Sequence, residues 1–186
     1  MSALEENKLG TERVSRLVGV HGIDNGLIPI VAYNYGVSNK SGDESAAKRV
    51  SDAVKWALIF SVLFYLVFFG VLELAPGAVL GIFDASDHML RIGTPALRVM
   101  ALAWLASIPA LVMSAGLQGL SMGMSSMVVT MARQAVLPLI FAFALSRTGE
   151  LDDLWFSFVL AELAGLPLAV FFWKRGYRKG LRGPLA

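Results

Sequence analysis

Cysteine is absent from the 186 residues. That removes disulfides, a thiolate nucleophile and Cys-ligated zinc or iron–sulfur centres, and it leaves the redox compartment open. Histidine occurs only at His21 and His88, far apart in sequence, and two are too few for a His-rich metal site. Charge is also scarce: Asp, Glu, Lys and Arg make up 16% of the chain, against about 25% in an ordinary soluble domain. Neither a Walker-type phosphate loop nor a dinucleotide-binding glycine pattern occurs, so the chain does not itself hydrolyse nucleoside triphosphates. No catalytic constellation is visible, and an enzyme is not expected. The start, Met1 to Arg13, mixes Glu5, Glu6, Lys8, Glu12 and Arg13. It lacks the basic start and apolar run of a signal peptide. Insertion into a membrane would rest on the spans themselves.

What the chain has instead is apolar length. Hydrophobic residues make up 56%, and uncharged runs reach the roughly 20 residues that cross a bilayer. The longest runs from Val99 to Ala132, too long for one ordinary span. Gly116, Gly119 and Gly123, followed by Ser125 and Ser126, predict a helix to about Gly119, a short turn and a new helix near Ser126. Trp56 to Leu72 continues past Glu73 and is bent at Ala75-Pro76-Gly77. Leu154 to Trp173 is interrupted only by Glu162. The weakest stretch, Leu17 to Tyr35, carries His21 and Asp24. These runs predict an all-α integral membrane protein of about five spans, near 14–36, 54–83, 91–119, 126–146 and 153–173. A polar segment 1–13 precedes them and a basic tail 174–186 follows.

The loops set the orientation. Lys40, Lys48, Arg49 and Lys55 lie between the first two spans. Lys174, Arg175, Arg178, Lys179 and Arg182 follow the last. The bias of basic residues toward the cytoplasm places 37–53 and 174–186 inside, and the acidic loops 84–90 and 147–152 outside. The protein is therefore expected as a multi-pass protein of the inner (plasma) membrane with a cytoplasmic C-terminus. Its expected partner is the lipid bilayer, and nucleic acid is not expected. Trp56, Trp104, Trp155 and Trp173 fall mostly near span ends, as an interfacial belt would have them.

Polar groups at membrane depth are expensive and tend to face a cavity or a partner. Asp24 is mid-segment in the first span, where it could bind a proton or cation or accept a hydrogen bond. Gln118 sits at the inner end of the third span, as helix–helix glue or a cap of the turn. Arg133 and Gln134 lie early in the fourth, and Arg133 could snorkel to lipid phosphates. Glu162 is mid-span in the fifth and is expected to face the bundle, with Arg133 or Arg98 as partner. Pro109, Pro138 and Pro167 lie well inside predicted helices and should kink them. Kinked helices around polar residues suit alternating-access carriers, though static channels also tolerate proline.

Several stretches resemble the multidrug and toxic compound extrusion (MATE) family. Gly26 to Gly36, with Pro29, Tyr33, Asn34 and Tyr35, is similar to the family's Tyr-Asn-Tyr-Gly helix end and is followed by a basic loop. Leu72 to Phe83 resembles the end of its ninth helix, and Gly116-Leu-Gln118-Gly119 that of the tenth. Ala132-Arg133-Gln134 with Pro138 resembles the eleventh, and Gly149, Trp155 and Ala161-Glu162 the twelfth. The resemblance implies helices eight to twelve of the second lobe of a two-lobed carrier. It implies export of small organic cations, drugs among them, in exchange for protons or sodium, with no other cofactor. It makes Asp24, Tyr33, Asn34, Gln118, Arg133 and Glu162 the candidate cavity residues. The stretch Ile92 to Gly119 lacks the carboxylate that some branches place in the tenth helix. The chain is accordingly expected to be an incomplete carrier, inactive without an upstream lobe. The rival expectations are a non-transporting scaffold or subunit packed against a partner, and a membrane-embedded enzyme using Asp24 or Glu162.

Overall fold

The computed structural model describes residues 19–41 and 44–181. The expected segment 1–13, the start of the 14–36 span and the tail residues 182–186 lie outside the described residues. Every described element is helical: α1 (Gly19–Ser41), α2 (Glu44–Leu74), the short α3 (Pro76–Gly81), α4 (Asp87–Gly119), α5 (Gly123–Met131), a π-helical turn (Ala132–Val136), α6 (Leu137–Leu145) and α7 (Leu151–Leu181).

Four stretches are long and apolar enough to cross a bilayer: Ser45–Leu74, Asp87–Gly119, Gly123–Leu145 and Asp152–Leu181. The chain is thus an all-α, multi-pass membrane protein. The expected first span differs. Over its described residues it is the helix α1, but Asp24, Asn25, Asn34, Asn39 and Lys40 dilute its apolar character, and it is not among the four. The other helices outrun their apolar parts. α2 begins ten residues before the expected span, adding the polar turns with Ser45, Lys48, Arg49 and Asp52, and α7 runs on through its basic residues to Leu181.

Local signals explain the ends. Ser86 caps α4, its Oγ accepting the Met89 N–H. Pro76 opens α3, a first-turn position where the missing N–H costs nothing. α4 ends in a Schellman closure. The Met122 N–H donates to the Leu117 carbonyl at 2.9 Å and the Ser121 N–H to that of Gln118 at 3.0 Å. Ser121 takes the left-handed position at φ 59°.

α4 is the central helix. It packs most broadly on α7, and on α2 and α1 at its other sides. Ala101, Ile108, Val112 and Ala115 are buried on it at the three- and four-residue spacing of one helix face. Small residues let backbones approach where lipid gives no hydrophobic drive. A Cβ on Gly119 would lie 2.9 Å from the Ile28 carbonyl oxygen, so α1 closes directly on the end of α4. Trp173, near the end of the apolar part of α7, also packs inward. It fills the space over Gly116, where a Cβ would meet its ring at 2.5 Å. Large apolar side chains are left exposed, among them Phe60, Phe64, Val67 and Phe68 on α2 and Leu139, Ile140 and Phe143 on α6, as expected of helices that cross a bilayer.

The helices alternate in direction, which segregates charge. Tyr177 donates to the Ala47 carbonyl at 3.1 Å, so the end of α7 with Lys174, Arg175, Arg178 and Lys179 lies beside the start of α2 with Lys48 and Arg49. The opposite end carries Asp84, Asp87, Glu150, Asp152 and Asp153.

Candidate functional site: a buried arginine–glutamate pair on a cavity

Arg133 enters the bundle from the π-helical turn. Its cause is visible just downstream. Pro138 has no N–H to give the carbonyl preceding it by one turn, and the helix widens there: the Leu137 N–H reaches back five residues to the Ala132 carbonyl. Such single wide turns recur at functional sites. This one delivers Arg133 toward α7, where its side chain is 1% exposed.

Its partner is Glu162. Arg133 Nε donates to Glu162 Oε2 at 2.6 Å, and Nη2 forms an ion pair with the same oxygen at 2.6 Å. The two residues reach the same depth because α7 overshoots the start of α5. Gly176 of α7 packs against Met122. From those points Glu162 and Arg133 lie roughly 21 Å and 17 Å into the bundle at about 1.5 Å per residue, within one turn of each other. The space for the arginine is cut by Gly165, where a Cβ would collide with Arg133 Cγ. Arg98, the other expected partner of Glu162, instead pairs with Glu73 at 3.8 Å on the surface.

The pair borders a cavity of about 310 Å³, lined among others by Trp104, Ser107, Arg133, Gln134, Pro138 and Glu162. Glu162 keeps 15% of its side chain accessible. Arg133 Nη1 is buried with no hydrogen-bond partner among the described residues. The Ser107 hydroxyl donates back to the Trp104 carbonyl at 2.7 Å. The arrangement is therefore asymmetric. Arg133 has almost no accessible surface and is only half satisfied, while the carboxylate keeps an accessible edge. A buried pair pays heavily for desolvation and is held only by good geometry. A cation entering the cavity would compete with Arg133 for Glu162.

The other expected residues lie elsewhere. Gln118 is at the end of α4, and its Nε2 donates to Ser126 Oγ at 3.1 Å across the turn. Asp24 is half-buried on α1. Tyr33 is 73% exposed and Asn34 7%. Asn34 Oδ1 accepts from Arg49 Nε at 2.7 Å, and its amide donates to the Ile30 carbonyl at 2.9 Å. Asn34 thus ties α1 to α2, and neither it, Asp24, Tyr33 nor Gln118 lines the cavity. Sequence reasoning counted Trp104 with the belt tryptophans and did not make it, Ser107 or Gly165 a site candidate. Gly165 stands three residues from Glu162, and Ser107 three from Trp104, spacings that share a helix face, but spacing alone does not say which neighbour that face meets.

Comparison with known proteins accords with this architecture. A family model, MatE, matches residues 16–144. The match takes in α1 to α6 with Arg133, Gln134 and Pro138, and stops short of Glu162. No curated protein and no solved structure matches. By the extent of the family match and the multi-pass helical fold, the chain belongs to the MatE family of membrane transport proteins.

Proposed function

We propose that this chain serves in the export of small organic cations, drugs among them, driven by a proton or sodium gradient, with the Arg133–Glu162 pair as the charge switch. The pair carries the reading: it is a buried ion pair at membrane depth, Arg133 with almost no accessible surface and Glu162 with an accessible edge, on a cavity that both line. Such groups at that depth mark substrate or ion paths. Trp104, half exposed at the cavity, adds an aromatic surface of the kind that attracts organic cations. Binding of the cation at Glu162 releases Arg133. A proton or sodium ion arriving at Glu162 displaces the organic cation, and its departure lets Arg133 pair with the carboxylate again. In this reading α1 is the fifth span, Asp24 and Asn34 serve its packing, and the basic end with the C-terminus faces the cytoplasm of the inner (plasma) membrane. Alternating access needs two repeats moving about a shared midplane site, so the bundle works with a companion lobe.

The test is efflux of a fluorescent organic cation from vesicles under an imposed proton or sodium gradient, with this chain alone and with a companion lobe supplied. Gradient-dependent efflux that falls at least tenfold in Glu162→Gln, at unchanged membrane abundance, supports the reading. Undiminished efflux in both Glu162→Gln and Glu162→Leu removes the pair from the mechanism. The second reading, a scaffold or subunit packed against a partner, is favoured if the chain raises the abundance of a companion protein while Glu162 variants leave transport unchanged.

A further inference from the structure

A second cavity, of about 530 Å³, lies at the basic end of the bundle, between the turn that joins α4 to α5 and the last turns of α7. We propose that it is a binding site for an anionic phosphate group, presented by the headgroup of a membrane phospholipid.

Its walls are set by packing. Gly176 lets the turn lie directly on α7: a Cβ there would sit 2.8 Å from Leu117 Cδ2 and 2.9 Å from Met122 Sδ. Arg175 and Lys179, on either side of Gly176 and one helical turn apart, are thereby brought to face the turn across the cavity. Two like charges at that spacing repel. Neither side chain makes a hydrogen bond or ion pair among the described residues, and no acid lines the cavity to neutralise them.

The opposite wall supplies donors as well. Ser121 and Ser125 bring hydroxyls. α5 starts without any side-chain cap, so the backbone N–H groups of Gly123, Met124 and Ser125, all at the cavity, have no helical acceptor. Two guanidinium- and ammonium-borne charges, two hydroxyls and free N–H groups make a donor set with no acceptor side chain opposing it. That suits an oxyanion with several acceptor oxygens. The neighbours point to the source. Met124 is 72% exposed and Phe171 is 56% exposed, and Phe172 lines the cavity itself. Apolar surface therefore runs from the cavity along the lipid-facing side, where acyl chains would lie. Basic pockets between helices at a membrane surface hold anionic headgroups in this way.

Lys174 and Arg178 provide an internal control. They carry the same charge on the same turns of α7 but do not line the cavity. The purified full chain in a neutral detergent is titrated with dioleoylphosphatidylglycerol, dioleoylphosphatidylcholine or inorganic phosphate. Binding is read from the thermal unfolding midpoint and from lipid retained in native mass spectra. The expected result is saturable stabilisation by phosphatidylglycerol over phosphatidylcholine. Its apparent affinity should fall at least tenfold in Arg175→Gln/Lys179→Gln and less than twofold in Lys174→Gln/Arg178→Gln. Equal stabilisation by inorganic phosphate, with the same variant pattern, assigns the site to the free anion rather than the lipid. Equal loss in the two double variants, or no stabilisation of the wild-type chain by either phosphate probe, overturns the proposal.

Discussion

Gly165 on α7 makes the room in which Arg133 lies, and the two residues are coupled sterically as closely as Arg133 and Glu162 are electrostatically. Gly165→Ala should therefore act through the arginine. The new methyl group would meet the stem of Arg133 near its backbone, where the side chain has least freedom to swing away. Overpacking of this kind costs about 1–3 kcal/mol. Thermal unfolding of the purified chain should show the loss, and it should shrink when Arg133→Ala is added. An additive effect of the two substitutions would show that the clash is relieved elsewhere.

The pair itself invites a double-mutant cycle. Removing one partner of a buried pair leaves an uncompensated charge and costs about 3–5 kcal/mol, whereas an apolar pair of similar volume is often neutral. Arg133→Met and Glu162→Leu should each lower the yield of folded protein. The combined variant should recover most of it while losing transport. Recovery of stability together with transport would assign the pair a structural role alone.

The expectation that Glu162 turns inward followed from the cost of a lone carboxylate in hydrocarbon, and it needed no structure. The turn after Gly119 was legible for similar reasons: glycines and serines punctuate an uncharged run. The register of Arg133 was not legible. It depends on the wide turn before Pro138, and a proline in a sequence predicts a lost hydrogen bond without saying whether the helix kinks or widens. The notch at Gly165 was hidden because which helix face meets which neighbour is a tertiary fact. Likewise Tyr33 and Asn34, adjacent in sequence and grouped as cavity candidates, part company. Successive residues on a helix point about 100° apart, so one faces outward and the other holds Arg49.

Tyr65 gives a smaller and cleaner effect. It is 8% exposed on α2, and its hydroxyl donates to the Ala101 carbonyl of α4 at 3.1 Å. Tyr65→Phe keeps the ring and its packing and deletes one buried hydrogen bond. The expected cost is about 1 kcal/mol, read as a lowered unfolding midpoint. No change would show that the bond contributes nothing net.

Ser121 should respond in the opposite direction. It holds the left-handed position of the α4 closure, a conformation that costs a residue bearing a Cβ about 1–2 kcal/mol and glycine little. Part of that gain is offset by the greater freedom of glycine in the unfolded chain. Ser121→Gly should therefore raise stability by about 1 kcal/mol. A destabilised Ser121→Gly protein would show that the serine hydroxyl contributes more than the strain it imposes.

The orientation of the bundle can be read directly because the chain has no cysteine of its own. Asn39 at the end of α1 and Ser86 before α4 are both exposed, and they lie at opposite ends: Asn39 near the basic residues of α2 and α7, Ser86 between Asp84 and Asp87. Basic residues are retained on the cytoplasmic side during insertion, and acidic ones contribute little to the choice. Asn39→Cys should therefore resist an impermeant thiol reagent in intact cells and react after permeabilisation, while Ser86→Cys should react in both. The pair controls for access, since each cysteine must label in one condition or the other. Labelling of Asn39→Cys but not Ser86→Cys in intact cells would invert the molecule, placing the phosphate cavity of Arg175 and Lys179 on the outer surface and the acidic loops within.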